Sequence, residues 1–158
     1  SELNKKKYKN NNYEYWIAGT GPDEVNIKKL ATKLRVFKRV KILGWLEPDQ
    51  LINKLAQSNV YIHPSPIIEP YGVAVIEAMA AELPILASDM TFSAIDRITN
   101  NKNGIIHKSG NVNQLAAHMQ YFINNPEQTL TMGKRAKNTS SNWPLTKSEQ
   151  ILRKYIYN

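Results

Sequence analysis

A chain of 158 residues and 18.0 kDa has room for one well-packed domain and not for two full-sized ones. With 42% hydrophobic and 22% charged residues it excludes wholesale disorder, collagen and coiled coil, and with no cysteine it excludes disulfides, thiolate metal sites and a cysteine nucleophile, which fits a reducing cytoplasm. The net charge of +8 favours anionic partners such as a nucleotide, a phosphorylated substrate, nucleic acid or an acidic membrane surface, with a plain solvated face as the alternative for each lysine cluster.

Strands and helices alternate along the chain. Residues 13–18 (YEYWIA) read as a strand, bounded by Asn10, Asn11 and Asn12 and by the turn Gly19-Thr20-Gly21-Pro22. A helix over 23–34 follows from apolar residues at Val25, Ile27, Leu30, Ala31 and Leu34, with Asp23 and Glu24 in its first turn. A strand over 40–43 ends at Gly44. Glu47, Pro48 and Asp49 open a short helix to about 57, and a third strand over 60–63 is stopped by Pro64 and Pro66. The segment 72–81 reads as a helix apolar almost all round, and therefore buried. It is far shorter than the roughly 20 residues of a membrane span, and the N-terminus is polar rather than signal-like. Strands at 85–88 and 104–107 flank a helix near 93–99, and helices near 112–124, 127–138 and 145–157 finish the chain. This order predicts an open, doubly wound α/β domain with a parallel sheet covered on both faces.

In such a sheet a ligand lies beyond the carboxyl ends of the strands, which directs attention to the loops after Ala18, Leu43, His63 and Ser88. The first, Gly19 to Pro22, lacks the third glycine of the dinucleotide fingerprint, since Glu24 stands there, so a plain tight turn and a close backbone approach to a ligand both remain open. The strongest feature is PSPIIEPYGVAVIEAMAA, which sets Glu69 in a loop and Glu77 inside an apolar helix. A buried carboxylate needs a partner. That partner is either a nearby Lys or Arg or a pair of ligand hydroxyls. If the helix starts near Tyr71 or Gly72, the amides of Tyr71, Gly72 and Val73 face the loop and favour an anion, while Glu77 lies about 7 to 9 Å further along at roughly 1.5 Å per residue. Those five residues could span one ligand with hydroxyls at both ends and a phosphate between them.

Glu69 and Glu77 in EPYGVAVIE look like the E-x7-E motif of retaining glycosyltransferases of the GT-B fold, specifically family 4. IAGTGPDE, ILGWLEPDQL, HPSPIIEPYG, VIEAMAAELPILASD and the spacing from Asp96 to Asn103-Gly104 resemble that family's successive blocks in order, over nearly the whole chain. The resemblance implies the C-terminal, donor-binding half of such an enzyme, a Rossmann-like domain over 1–158 that binds a nucleotide-diphosphate sugar and lacks its N-terminal acceptor domain. In it Glu69, the catalytic candidate, accepts from hydroxyls of the transferred sugar, and Glu77 accepts from the ribose. Backbone at Tyr71, Gly72 and Val73 holds sugar and diphosphate. The loop at Gly44, Trp45 and Leu46 meets the base, unless Trp45 merely packs a strand end, and Gly19 and Gly21 shape the floor. The implied reaction is retaining transfer of a sugar from UDP-, GDP- or ADP-sugar to an acceptor hydroxyl, with no cofactor and no metal, helix amides stabilising the departing diphosphate.

The residues agree with that scheme: D-x-D is lacking, and His63, His107 and His118 lack ligand spacing, His63 reading as structural and the other two as surface. Three departures stand out. Glu82 replaces the family's usual Gly after the apolar helix, and Asp96, left outside the site, replaces a common Glu. The family's first strand, its Arg and Lys diphosphate clamp and most of its first helix have no counterpart, which should separate the first two strands from the last three and leave the chain alone inactive. Lys5, Lys6, Lys7 and Lys9 lie at the wrong end of the first strand to replace the clamp and read as a solvated tail. The alternatives are a non-catalytic nucleotide-binding or assembly module, a sugar-nucleotide epimerase and a nucleic-acid binder. The last is disfavoured by scattered basic residues without interleaved aromatics, so no nucleic-acid partner is expected. A cytoplasmic protein is expected, and peripheral contact of the parent protein with the inner face of a membrane stays open.

Overall fold

The computed structural model describes residues 13–142. The expected helix over 145–157 and the four N-terminal lysines lie outside them. The strands are β1 (Tyr15–Ala18), β2 (Val40–Gly44), β3 (Tyr61–His63), β4 (Ile85–Ser88) and β5 (Gly104–His107). Between and after them run α1 (Glu24–Lys33), α2 (Pro48–Ala56), α3 (Val73–Ala80), α4 (Phe92–Ile95), α5 (Val112–Asn124) and α6 (Pro126–Ser141), with a 3-10 turn at Phe37–Arg39. No helix among the described residues is long and apolar enough to cross a membrane.

Local chemistry explains several boundaries. Glu47 and Gln50 close a capping box around Pro48, whose missing N–H is harmless at the first helical position of α2. Asn111 caps α5 by accepting from the Gln114 amide at 2.9 Å. The helix expected near 93–99 stops at Ile95. Beyond it the Asn103 side chain accepts from the Thr99 amide at 2.8 Å and donates to the Arg97 carbonyl at 2.9 Å, satisfying backbone groups that another helical turn would have paired.

Among the described residues all strand pairs are parallel, in two sheets: β1 with β2, and β3–β4–β5. The expected split between the first two strands and the last three is thus observed. Central strand β4 is buried along its whole length, and its alternating side chains serve two cores. Ile85 and Ala87 pack with Val75, Ala78 and Met79 of α3 and with Ala94 and Ala136, while Leu86 packs with Ile105, Phe122 and Met132. Each large side chain so buried contributes about 1.5–3 kcal/mol. Helix α6 lies against the turn after α3 so closely that a Cβ on Gly133 would sit 2.0 Å from the Glu82 carbonyl oxygen. In that turn Glu82 takes the left-handed φ of 62° that a glycine would have adopted without strain, and its carboxylate pairs with Lys137 of α6 at 2.7 Å.

Candidate functional site

The segment after β3 is shaped by its prolines and by the loop after β4. Pro64 and Pro66 cannot donate to a ladder, so β3 stops at His63. The released chain is then clamped: the Ser88 hydroxyl donates to the Ser65 carbonyl at 2.7 Å, the Glu69 amide donates to the Met90 carbonyl at 2.9 Å, and the Phe92 amide donates to the Glu69 carbonyl at 3.1 Å. Glu69 therefore makes a one-residue parallel bridge with Thr91. Its half-buried carboxylate has Oε2 2.6 Å from His63 Nε2, and His63 Nδ1 lies 3.2 Å from the Tyr61 hydroxyl. His63, expected to be structural, bonds within the chain to both Tyr61 and the loop carboxylate.

Gly72 follows with φ +38° and ψ 54°, and a Cβ there would stand 2.2 Å from the Ser93 hydroxyl, so both conformation and space demand glycine. It is the N-cap of α3, one residue later than expected, and its carbonyl already accepts from the Val75 amide. The amides at the helix mouth are those of Gly72, Val73 and Ala74, whereas Tyr71 lies before the helix and is 83% exposed. The N-terminus of α3 carries the partial positive charge that suits an anion.

The fully buried helix expected at 72–81 is corrected. Helix α3 buries Val75, Ala78 and Met79 but turns Val73, Glu77 and Ala80 outward, positions four and three residues apart on one face. Glu77 is thus exposed, not buried, and the desolvation argument for a partner, whether a cation or a pair of ligand hydroxyls, does not apply to it. Among the described residues its side chain makes no hydrogen bond or ion pair. The charges of Glu69 and Glu77 nevertheless both bear on one group. Burial, then the charge of Glu69, then that of Glu77, with a contribution from Tyr15, push the Tyr61 hydroxyl up from 10.0 to about 12.

A second set of loops carries the remaining candidates. Gly19 (φ +115°) donates its amide to the Gly44 carbonyl at 2.7 Å, tying the ends of β1 and β2 together, while Gly21 shows no left-handed φ. Trp45 is 73% exposed, with its indole N–H on Glu47 Oε1 at 3.1 Å, so it does not pack the strand end. Leu46 beside it is half-buried. A cavity of about 640 Å³ lies beside β2, lined by Lys28, Ala31, Phe37 and Lys38 among others, and does not include Glu69 or Glu77.

His107, expected at the surface, is buried at 3% exposure, with Nδ1 3.0 Å from the Lys108 carbonyl, and His118 is half-buried. Burial, aided by the neighbouring His107, pushes the His118 imidazole down. Among the described residues no group of three or more His, Asp or Glu is arranged to hold a metal ion. Sequence reasoning missed His63, Tyr61 and Ser93 as shapers of the site. The one available signal was that Tyr61 and His63, two apart on a strand, share a face.

The chain is similar to known proteins over most of its length. It is 29% identical over 142 residues to an uncharacterized glycosyltransferase of Haemophilus influenzae, a match covering 90% of this chain and 39% of that protein. It is 26% identical over 129 residues to the poly(ribitol-phosphate) alpha-N-acetylglucosaminyltransferase of Staphylococcus aureus, covering 82% of this chain and 26% of that one. The chain thus spans well under half the length of these relatives. Among solved structures, TarM superposes with a TM-score of 0.81 at 24% identity, over 99% of this chain and 30% of that one. HepE of Anabaena, crystallised with UDP-glucose, does so at 0.81 and 21% identity, over 91% and 40%. These likenesses establish the C-terminal, Rossmann-like fold of GT-B glycosyltransferases. The family model for glycosyl transferases group 1 matches residues 1–139, so the elements from β1 through α5 and most of α6 lie within it, and the chain belongs to that family.

Proposed function

We propose that this chain is the donor-binding part of a retaining glycosyltransferase that moves a sugar from a nucleotide-diphosphate sugar to an acceptor hydroxyl. In this reading Glu77 accepts from the ribose hydroxyls and Glu69 from hydroxyls of the sugar. The amides of Gly72 and Val73, at the positive end of α3, hold the diphosphate, and backbone at Tyr71 borders the sugar. Trp45 and Leu46 meet the base, and Gly19 and Gly21 form the floor. As the anomeric carbon exchanges its bond to the diphosphate for one to the acceptor oxygen, negative charge grows on the leaving diphosphate. Fixed amide dipoles stabilise that charge without a metal or other cofactor. The acceptor-binding domain lies outside this chain, which spans only 26–39% of the relatives described above. The 158 residues alone therefore bind donor without turning it over. The parent protein works in the cytoplasm, in this reading, at the inner face of a membrane where its acceptor is lipid-linked.

The supporting observation is that Glu69 and Glu77 stand on either side of the left-handed turn at Gly72, where the N-terminus of α3 opens, and that the charges of both raise the Tyr61 hydroxyl. Calorimetric titration of UDP, GDP and ADP into the chain tests the reading. One of the three is expected to bind, and Glu77→Ala to weaken it about tenfold through loss of two ribose hydrogen bonds to a charged group. Failure of all three to bind, or an unchanged affinity in the variant, would refute it, and turnover by the isolated chain would refute the division of labour.

A further inference from the structure

We propose that His63 is a positioning residue for the donor sugar, holding the Glu69 carboxylate in one orientation so that Oε1 is presented to the sugar hydroxyls; this rests on the donor-binding reading above. His63 is the last residue of β3, and its side chain is only 15% exposed. Its two ring nitrogens are both engaged, Nε2 with Glu69 Oε2 at 2.6 Å and Nδ1 with the Tyr61 hydroxyl at 3.2 Å.

The direction of these bonds follows from the groups themselves. An ionised carboxylate only accepts, so Nε2 must carry a proton and donate. In the neutral imidazole Nδ1 then accepts, and the Tyr61 hydroxyl donates to it. The Glu69 carboxylate thus selects the tautomer, and the Tyr61 hydroxyl, able to donate, supplies the proton that Nδ1 accepts. The Tyr61 phenol, held well above its ordinary range, keeps that proton at neutral pH.

The Glu69 backbone is already pinned on both sides, by the Met90 carbonyl and the Phe92 amide. Once His63 fixes Oε2, the rotamer freedom that a glutamate would otherwise lose on binding a ligand has been removed in advance. Glu77 has no such support among the described residues, so the two carboxylates differ in preorganisation. The His63 bond should therefore be felt by the sugar and not by the nucleotide.

The test compares affinities of the 158-residue chain for the pairs UDP and UDP-glucose, GDP and GDP-mannose, ADP and ADP-glucose, using whichever pair binds. His63→Phe is expected to weaken the nucleotide sugar about tenfold while leaving the bare nucleotide within about twofold. His63→Gln, which keeps an N–H near the Nε2 position, should restore most of the loss. Should the Phe variant fail to fold, Tyr61→Phe carries the test, lowering nucleotide-sugar affinity about two- to threefold with the bare nucleotide unchanged. An unchanged ratio of the two affinities in the variants, or equal weakening of both ligands, overturns the positioning role while the donor-binding reading stands. Wild-type chain that binds no member of any pair overturns the donor-binding reading, and this inference with it.

Discussion

The two sheets have the same parallel pairing and very different interiors. Around β4 every strand residue is buried, and helices α3, α5 and α6 supply Val75, Ala78, Met79, Phe122, Met132 and Ala136. Around β1 and β2 no strand residue is fully buried, α2 buries none of its own, and Ala31 of α1 is the one buried hydrophobic residue among those described from 13 to 72. The two sets of candidate site loops divide along the same line. Glu69, Gly72 and Glu77 belong to the close-packed half, whereas Gly19, Gly21, Trp45 and Leu46 belong to the loosely packed one. A strand pair with few apolar contacts opens more readily than one inside a core, so one wall of the proposed site is rigid and the other yielding.

The largest expected effect comes from breaking the rigid half where backbone meets backbone. Gly133→Ala places a methyl 2.0 Å from the Glu82 carbonyl, next to Pro84, and cannot be absorbed by a side-chain rotation. A loss of about 3 kcal/mol in chemical denaturation is expected, with the β1–β2 half affected only through global unfolding. A loss under about 0.5 kcal/mol would mean that α6 does not press on that turn.

Hydrogen exchange sharpens the comparison directly. Amides of Ile85–Ser88 should exchange about a hundredfold more slowly than those of Tyr15–Ala18, the former near the global unfolding limit. Equal protection in the two strands would erase the distinction.

The smallest expected effect is alkaline and falls on Tyr61. Its folded pKa, about 12, exceeds its ordinary 10.0. The unfolded chain therefore ionises this phenol at a pH where the folded chain cannot. The stabilisation is complete below pH 10 and is lost as pH rises from 10 toward 12. Denaturation of wild type and Tyr61→Phe across that range should converge, with the variant the flatter of the two. Parallel curves would show that the tyrosine is not shielded at the rim of the rigid half.

Most of the fold was legible because short apolar runs end at strong punctuation: β1 at Gly19, β2 at Gly44, β3 at Pro64. Glu69 and Glu77 were legible as a pair for the same reason, since a lone acid stands out in an apolar segment. The surroundings of Glu77 were not. Composition made α3 look buried on all sides, yet Glu77 itself marks the stripe that faces outward with Val73 and Ala80. The early stop of α4 and the bond from His63 to Glu69 were hidden for another reason. Both depend on residues far from helix or strand periodicity, Asn103 in one case and a loop folded back by Met90 and Phe92 in the other.

The parallel bridge between Glu69 and Thr91 bears on how such an enzyme could be re-engineered. Because the acid hangs from the connection that follows β4, transplanting 64–69 from a relative would carry over the sequence but not its support. In the proposed donor site, a graft intended to change sugar preference has to start at Tyr61, so that His63 travels with Glu69, and has to move Ser88 to Phe92 as a second piece. The setting of Glu69 is thus a joint property of two segments distant in sequence, 61–69 and 88–92.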